Sequence, residues 1–446
     1  MYFFDERPEK KEKIFLYSDK GEIITYGDLD KVCKQFGKKM KARRLAFLLC
    51  KNNVESVLFY MACLRNRVVP LLLDAKMDYN LIENLKGIYE PDYMYAPKED
   101  GSYELIEFHR EKDTLLNDAL GLLLTTSGST GSPKLVRQSY ENIQSNAEAI
   151  AEYLNLNETE RPITTLPMNY TYGLSIINSH AQCGAAILLT EYSVFQTEFW
   201  NFFRKGKATS FGGVPFTYEM LKKLRFFNMD LPSLKTMTQA GGKLPKYLHE
   251  AFASYAKETG KQFIVMYGQT EATARMSYLP AEKSLEKIGS IGIPIPGGAF
   301  FLEDEELIYK GKNVTLGYAT KKEDLAKEDE HHGILHTGDL ARKDADGYFY
   351  IMGRKKRFLK ILGSRVNLDE VEQLLQETYE GTRFACTGED DCLEVYVENP
   401  QIHIEEAAQY LSRKMKLNES VFHIYKIDAI PMNQSGKTLY EELRRR

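Results

Sequence analysis

Short apolar runs of strand length, separated by longer helical stretches, constrain this chain more than any other feature. Residues 45–50, 68–73, 121–124 and 185–189 are β-rich runs of this kind. Strands that are apolar on both faces belong in a mainly parallel sheet covered by helices, so α/β architecture is expected from residue 25 to about 189. One intervening helix can be placed closely: Ser139 caps it, and Ile143, Ala147, Ile150, Ala151 and Leu154 then fall on one face. From about 289 to 351 glycine and proline break the chain into short runs, the texture of a small β-barrel or sandwich. The charged stretch Gly353-Arg354-Lys355-Lys356-Arg357 reads as a hinge, followed by a small α+β unit. There Asn367 and Glu370 resemble a capping box ahead of the stripe Leu368, Val371, Leu374 and Leu375, and 392–397 and 421–427 are strand-like.

With 446 residues the chain has room for two or three domains and a sizeable interior. Lysine and arginine number 59 against 63 aspartates and glutamates, a net charge of −4, so there is no bulk attraction to nucleic acid or to an anionic membrane. Any anionic ligand must be held locally. The six cysteines include no C-x-x-C pair, which argues against a zinc site or a disulfide framework and for buried free thiols. The first residues lack the apolar core of a signal peptide, and no apolar run approaches the roughly 18 residues of a spanning helix. A reducing cytoplasm is the expected location.

The chemistry concentrates first at Leu122 to Lys134, a buried strand running into Thr125-Thr126-Ser127-Gly128-Ser129-Thr130-Gly131-Ser132-Pro133-Lys134. Glycines allow backbone N–H groups to approach an anion, hydroxyls donate hydrogen bonds and lysine adds charge, so this loop suits polyphosphate. It is not a Walker motif: Pro133 precedes the lysine, and no serine or threonine follows it.

This loop resembles the signature of the adenylate-forming superfamily, which includes acyl-CoA synthetases, nonribosomal-peptide adenylation domains and luciferases. Its other motifs follow in order: Tyr267-Gly268-Gln269-Thr270-Glu271, Gly289 to Pro294, Thr337-Gly338-Asp339, Gly353 to Lys356, Lys360 to Gly363, and Pro431 with Ser435-Gly436-Lys437. The resemblance implies an AMP-forming acid–thiol ligase that uses ATP and Mg²⁺. Its expected organisation is a large N-terminal AMP-binding domain (1–354), with α/β subdomains at about 1–165 and 166–288 and a β-rich one at 289–354. A hinge at 355–356 and a small mobile α+β domain, 357–446, complete it.

By the same resemblance Thr125, Thr126, Ser127, Gly128, Ser129, Thr130, Gly131 and Lys134 wrap the β- and γ-phosphates. Thr270 donates to the α-phosphate and Glu271 holds the metal. Asp339 takes the ribose hydroxyls, Arg354 assists at ribose or phosphate, and Tyr267 lies against adenine, with Gly241, Gly242 and Gly268 beside the nucleotide. Lys437 is implied as the catalytic cation between carboxylate and α-phosphate. Lys356 is the implied pivot, and Lys360 and Gly363 line the thiol tunnel after rotation of the small domain.

Pro167 to Ser175 resembles the family's acyl-pocket segment but carries Tyr170 where a histidine is usual. Amino-acid-activating relatives have an aspartate at the position of Gly173. Without it an ammonium would be buried unpaired, which favours an uncharged acyl or aryl acid. Tyr170, Tyr172, Gly173, Phe211, Gly213, Val214, Gly241 and Met266 are the expected pocket walls. The expected partner is a small-molecule carboxylic acid. The acceptor thiol is coenzyme A, or alternatively the phosphopantetheine of a separate acyl or peptidyl carrier protein. A non-catalytic nucleotide- or acyl-binding homologue and a luciferase-type oxygenase are the other readings.

Overall fold

The apolar runs at 45–50 and 68–73 lie at the centre of a seven-stranded sheet. The structure is a computed structural model, which describes residues 1–109, 114–125, 134–379, 381–432 and 438–443. The sheet order is Gly317–Ala319, Leu135–Ser139, Leu120–Thr125, Val69–Asp74, Leu45–Cys50, Tyr93–Pro97 and Tyr103–Glu107. The four strands from Leu120–Thr125 to Tyr93–Pro97 run parallel. Every residue of Leu45–Cys50 is buried, as a strand covered on both faces requires. The run at 185–189 departs from the expected pattern: Ile187–Leu189 pairs with Ile14–Ser18 in a separate three-stranded sheet.

A second sheet carries Ser210–Gly213, Thr236–Gln239 and Gln262–Tyr267 in parallel, extended antiparallel by Ser277–Tyr278 and Ile293–Pro294. Open parallel sheets present ligand crevices outside the carboxyl ends of their strands, which here are Gly213, Gln239 and Tyr267. The helix Tyr140–Tyr153 begins at a reciprocal box in which Ser139 Oγ accepts from the Asn142 N–H at 3.0 Å and Asn142 Oδ1 from the Ser139 N–H at 2.8 Å. Ile143, Ala147 and Ile150 are buried, while Ala151 and Leu154 are half-buried.

The β-rich stretch is an open four-stranded antiparallel sheet, Ala299–Glu303, Glu306–Lys310, Ile334–Lys343 and Phe349–Arg354, rather than a closed barrel. Its outer strands do not pair with each other. Ile293–Pro294 and Gly317–Ala319 instead join the two large sheets. Fully buried Arg137 holds Gly317–Ala319 there, donating to Tyr318 O at 3.1 Å and Leu316 O at 2.8 Å and pairing with Glu330 at 2.7 Å.

Beyond Arg357 the hairpin Phe358–Ile361/Ser364–Asn367 leads into the helix Leu368–Thr378. A three-stranded sheet follows, Phe384–Glu389, Cys392–Val397 and Phe422–Lys426. Asn367 caps the helix by accepting from the Asp369 N–H at 2.9 Å, whereas Glu370 is exposed. The helix touches earlier elements through Lys246–Glu377 at 3.0 Å, and Arg383 meets Glu219 at 3.2 Å. All six cysteines are free, and no described helix is long and apolar enough to cross a membrane.

Glu372 is half-buried in this unit, with Arg357 Nη2 at 2.6 Å, the Cys386 N–H at 2.7 Å and the Tyr440 hydroxyl at 3.2 Å as donors. Burial outweighs the pull of Arg357 and pushes its carboxyl up to about 7. A carboxyl raised on folding contributes stability that is complete below the usual glutamate range and is lost as pH rises through about 7. The unfolding free energy of the protein relative to Glu372→Gln is therefore expected to fall by on the order of 3 kcal/mol between acidic and mildly alkaline pH. Urea titrations at pH 5 and pH 8 measure it, and a difference that rises with pH contradicts it.

Candidate active site

Asp339 and Tyr267 lie 72 residues apart and meet at the carboxyl end of the second sheet, where the Tyr267 hydroxyl donates to Asp339 Oδ2. Gln269 Nε2 donates to the same oxygen at 3.0 Å and to Thr337 O at 3.0 Å, and Arg354 Nε stands 3.4 Å from Oδ1. Asp339 is 4% exposed. Burial raises its carboxyl above the usual range, against the downward pull of Arg354, Tyr267 and Gln269. Burial also raises the Tyr267 phenol, with the Asp339 charge adding to it, which keeps the hydroxyl protonated as a donor. Expected to lie against adenine, Tyr267 thus has its hydroxyl committed to Asp339, and its ring is tilted on Phe300 with centroids 6.4 Å apart.

After Tyr267 the backbone turns so tightly that a Cβ on Gly268 would lie 1.7 Å from Ala274 O. Buried Thr270 and half-buried Glu271 follow in a short 3₁₀ turn. The Tyr318 hydroxyl donates to Glu271 Oε1 at 2.8 Å, and Lys134 Nζ sits 3.4 Å from the centroid of the Tyr318 ring. Arg354, Asp339, Tyr267, Gln269, Thr270, Glu271, Tyr318 and Lys134 therefore form one continuous chain of contacts and adjacent residues. Thr125, half-buried, ends the strand Leu120–Thr125. Thr126, Ser127, Gly128, Ser129, Thr130, Gly131 and Lys437 lie outside the described residues. Gln269 and Tyr318 were missed in the sequence. Gln269 occupies the variable position of its motif, and Tyr318 acts 47 residues from Glu271.

Among the described residues no cluster of three or more histidine, cysteine or carboxylate ligands could hold a metal alone. Glu271 Oε2 has no described partner, however, and Mg²⁺ commonly takes one or two carboxylates with phosphate and water completing its shell. The donor set fits a magnesium–nucleotide complex.

The expected acyl-pocket walls divide. Tyr172, Val214 and Met266 share an apolar cluster with Leu166, Ile176 and Ala240, against which Tyr170 packs. Gly241, at φ +84°, is needed because a Cβ there would fall 2.5 Å from the Tyr170 hydroxyl, and a Cβ on Gly242 would meet Pro215 at 3.0 Å. Phe211 and Gly213 have their main neighbours elsewhere, although Phe211 also borders the cavity described below. Residues alternate across a strand, so these two share the face turned to the helix Pro215–Lys223, where Phe211 packs with Phe226 and Tyr218 in a separate core. Gly212 faces the pocket cluster instead, since its Cβ would touch Ile176 and the Tyr172 hydroxyl at 2.9 Å. Gly173 is closed against backbone, with the Pro167 carbonyl 2.3 Å from where a Cβ would be. No aspartate side chain fits there.

One charged residue at this cluster was not foreseen. Arg275, 3% exposed, lies over the Tyr172 ring at 4.6 Å and donates to Met266 Sδ at 2.8 Å and Tyr153 Oη at 3.1 Å. It borders a cavity of about 400 Å³ that runs inward from Ser210, Thr236 and Gln262, the amino-terminal ends of the parallel strands. His180, 4% exposed, borders it too. Its Nδ1 meets Ile176 O at 2.8 Å, and burial lowers it to about 4, so the ring is neutral and Nδ1 carries the proton.

The hinge adjoins the nucleotide residues, the Lys355 N–H donating to Gly338 O at 2.8 Å beside Asp339. Lys356 and Lys360 are exposed, and Gly363, at φ +82°, lies at a hairpin tip with nothing within 4 Å of its Cβ position. That hairpin is tied to its own unit, the Lys360 N–H donating to Asp390 at 2.8 Å and the Leu362 N–H to Asp391 at 2.6 Å. Met432 and Thr438, which flank the segment containing Lys437, form an antiparallel bridge. Arg383, 3.7 Å from Met432 Sδ, lies over Phe216 at 4.5 Å beside the pocket cluster.

The 2-succinylbenzoate–CoA ligase of Bacillus cytotoxicus is 26% identical over 98% of this chain and 94% of its own length. The structure of O-succinylbenzoate coenzyme A synthetase from Bacillus subtilis in complex with AMP superposes with a TM-score of 0.83, at 23% identity over 99% of this chain and 98% of that one. The same enzyme in complex with ATP and magnesium ion gives 0.79, at 22% identity over 98% and 97%. These likenesses establish the α/β fold. The AMP-binding enzyme family matches residues 3–319, well over half of the sequence, and the chain belongs to that family.

Proposed function

We propose that this protein is an AMP-forming acid–thiol ligase. It activates a carboxylic acid with ATP to an acyl-adenylate, releases pyrophosphate, and transfers the acyl group to coenzyme A. The observation that carries the reading is the unbroken network from Arg354 and Asp339 through Tyr267 and Gln269 to Glu271, Tyr318 and Lys134. It spaces a ribose-binding carboxylate, an α-phosphate hydroxyl on Thr270, a metal-binding carboxylate and a phosphate-binding ammonium along one nucleotide. The acid and the triphosphate are both anions, so their approach depends on cancelled charge. Magnesium arriving with ATP supplies part of that cancellation at Glu271. Lys134 and Lys437 supply the rest, and the attacking carboxylate, already ionised, needs no general base. Tyr318 holds Glu271 and Lys134 in register.

Residues 1–354 and 357–446 act as two bodies about a hinge at 355–356. Lys437 serves adenylation, and the Lys360-to-Gly363 hairpin serves thioester formation after rotation. The relatives' names favour coenzyme A over a carrier protein as acceptor. ATP–pyrophosphate exchange across a panel of carboxylic acids tests the first half-reaction, and thioester detection with coenzyme A or a phosphopantetheinylated carrier tests the second. Acid-dependent exchange followed by acyl-CoA is the expected result. Absence of exchange with every acid overturns the assignment.

A further inference from the structure

Arg383 joins the unit beyond residue 357 to the large unit beside the acyl-pocket cluster. Its Nη2 lies 3.2 Å from Glu219 Oε2 on the helix Pro215–Lys223, and its guanidinium covers the Phe216 ring of the same helix at 4.5 Å. Phe216 packs in turn on the cluster of Tyr172, Val214 and Met266. The Arg383 and Glu219 side chains are only 23% and 22% exposed, so solvent screens this pair weakly. The pair Lys246–Glu377, which also joins the units, is 57% and 42% exposed and contributes little. On its other side Arg383 contacts its own unit. Nη1 stands 3.9 Å from Glu398 Oε2 and 3.7 Å from Met432 Sδ, and Glu398 Oε1 accepts from the Ile430 N–H at 2.7 Å. Met432 and Thr438, which bridge, flank the segment that carries Lys437, and the Leu439 N–H donates to Pro431 O at 2.8 Å below them. One guanidinium thus ties a helix of the large unit to the stem of that segment. Arginine suits the task, because its planar fork can meet a carboxylate while its face lies on a ring.

We propose that Arg383 is a positioning residue for adenylation: by engaging Glu219 and Phe216 it holds the small unit in the arrangement in which Lys437 serves acyl-adenylate formation. The proposal rests on the two-body reading above and deepens it. The contacts of Arg383 with Glu398 and Met432 travel with the small unit when it turns about 355–356, whereas those with Glu219 and Phe216 must break. They stabilise one arrangement and not the other, and such differential contacts set a two-state population. Arg383 and Glu219 lie outside every motif that resembles the adenylate-forming superfamily.

The test measures the two half-reactions separately. Arg383→Met is expected to lower acid-dependent ATP–pyrophosphate exchange about tenfold, because the competent arrangement is less populated. Thioester formation from supplied acyl-adenylate and coenzyme A should be unchanged or faster. Arg383→Lys should recover part of the exchange, since it keeps the charge and loses the fork. Glu219→Gln, on the other unit, should lower exchange by itself but add little in the Arg383→Met background, as expected of two groups in one contact. Equal loss of both half-reactions in a folded Arg383→Met protein, the mark of a merely structural role, overturns the proposal, and so does undiminished exchange. Where thermal melting shows that Arg383→Met does not fold, Glu219→Gln decides: reduced exchange with intact thioester formation supports the proposal, and any other pattern overturns it. Failure of these variants to separate the half-reactions while Lys437→Ala still does so rejects Arg383 and leaves the two-body reading standing. No separation in any variant, or no exchange with any acid, rejects both.

Discussion

Lys437→Ala is expected to lower acid-dependent ATP–pyrophosphate exchange by about 10²–10³-fold, the usual loss when one donor to developing charge is removed. The carboxylate that attacks phosphorus must approach an α-phosphate of like charge, and an ammonium between them strengthens its hold as the new P–O bond forms. Thioester formation from supplied acyl-adenylate should be largely retained, because that step neutralises no such pair. Gly363→Leu should do the reverse. Its Cβ position is open in the present arrangement, so a leucine collides with nothing there, and its left-handed φ of +82° adds strain of about 1–2 kcal/mol. Pyrophosphate exchange therefore persists while a bulky tip obstructs the thiol path. Equal loss of both half-reactions in both variants rejects the rotation about 355–356.

Asp339→Ala should cost about a hundredfold or more in kcat/KM for ATP, since hydrogen bonds to a charged group are worth about 1.5–3 kcal/mol each. Asparagine is not a mild replacement here. The Tyr267 hydroxyl, Gln269 Nε2 and Arg354 Nε all direct donors at this carboxylate, and an amide NH₂ would face one of them with another donor. Acidity acts through the same group. Burial raises the Asp339 carboxyl, so as pH falls binding of ATP should weaken earlier than for an exposed carboxylate. Gln269→Leu removes a bond that favours the ionised form and should move that acid limb to higher pH still. A limb that stays in place shows that Asp339 does not control it.

Much of this was legible in the amino-acid sequence. Ser139 and Asn367 announced their helices because a cap is a local event, settled within three residues of chain. The buried run at 45–50 announced a parallel sheet for the same reason, since it needs cover on both faces whatever surrounds it. The loop Thr125 to Lys134 pointed to polyphosphate by its glycines and hydroxyls, and the resemblance of the ordered motifs to the adenylate-forming superfamily implied ATP and an acid.

What the tertiary structure alone decided depended on distant neighbours. Strand alternation admits two registers, and only the packing of the helix Pro215–Lys223 decided that the Phe211 ring meets Tyr218 and Phe226 while a Cβ on Gly212 would meet Tyr172 and Ile176. Tyr318 reaches Glu271 because Arg137, from another strand, holds its backbone. Arg275 reads in the sequence as one arginine among many. Its burial against Tyr172 and Met266, with no carboxylate partner among the described residues, depends on how distant segments pack around it.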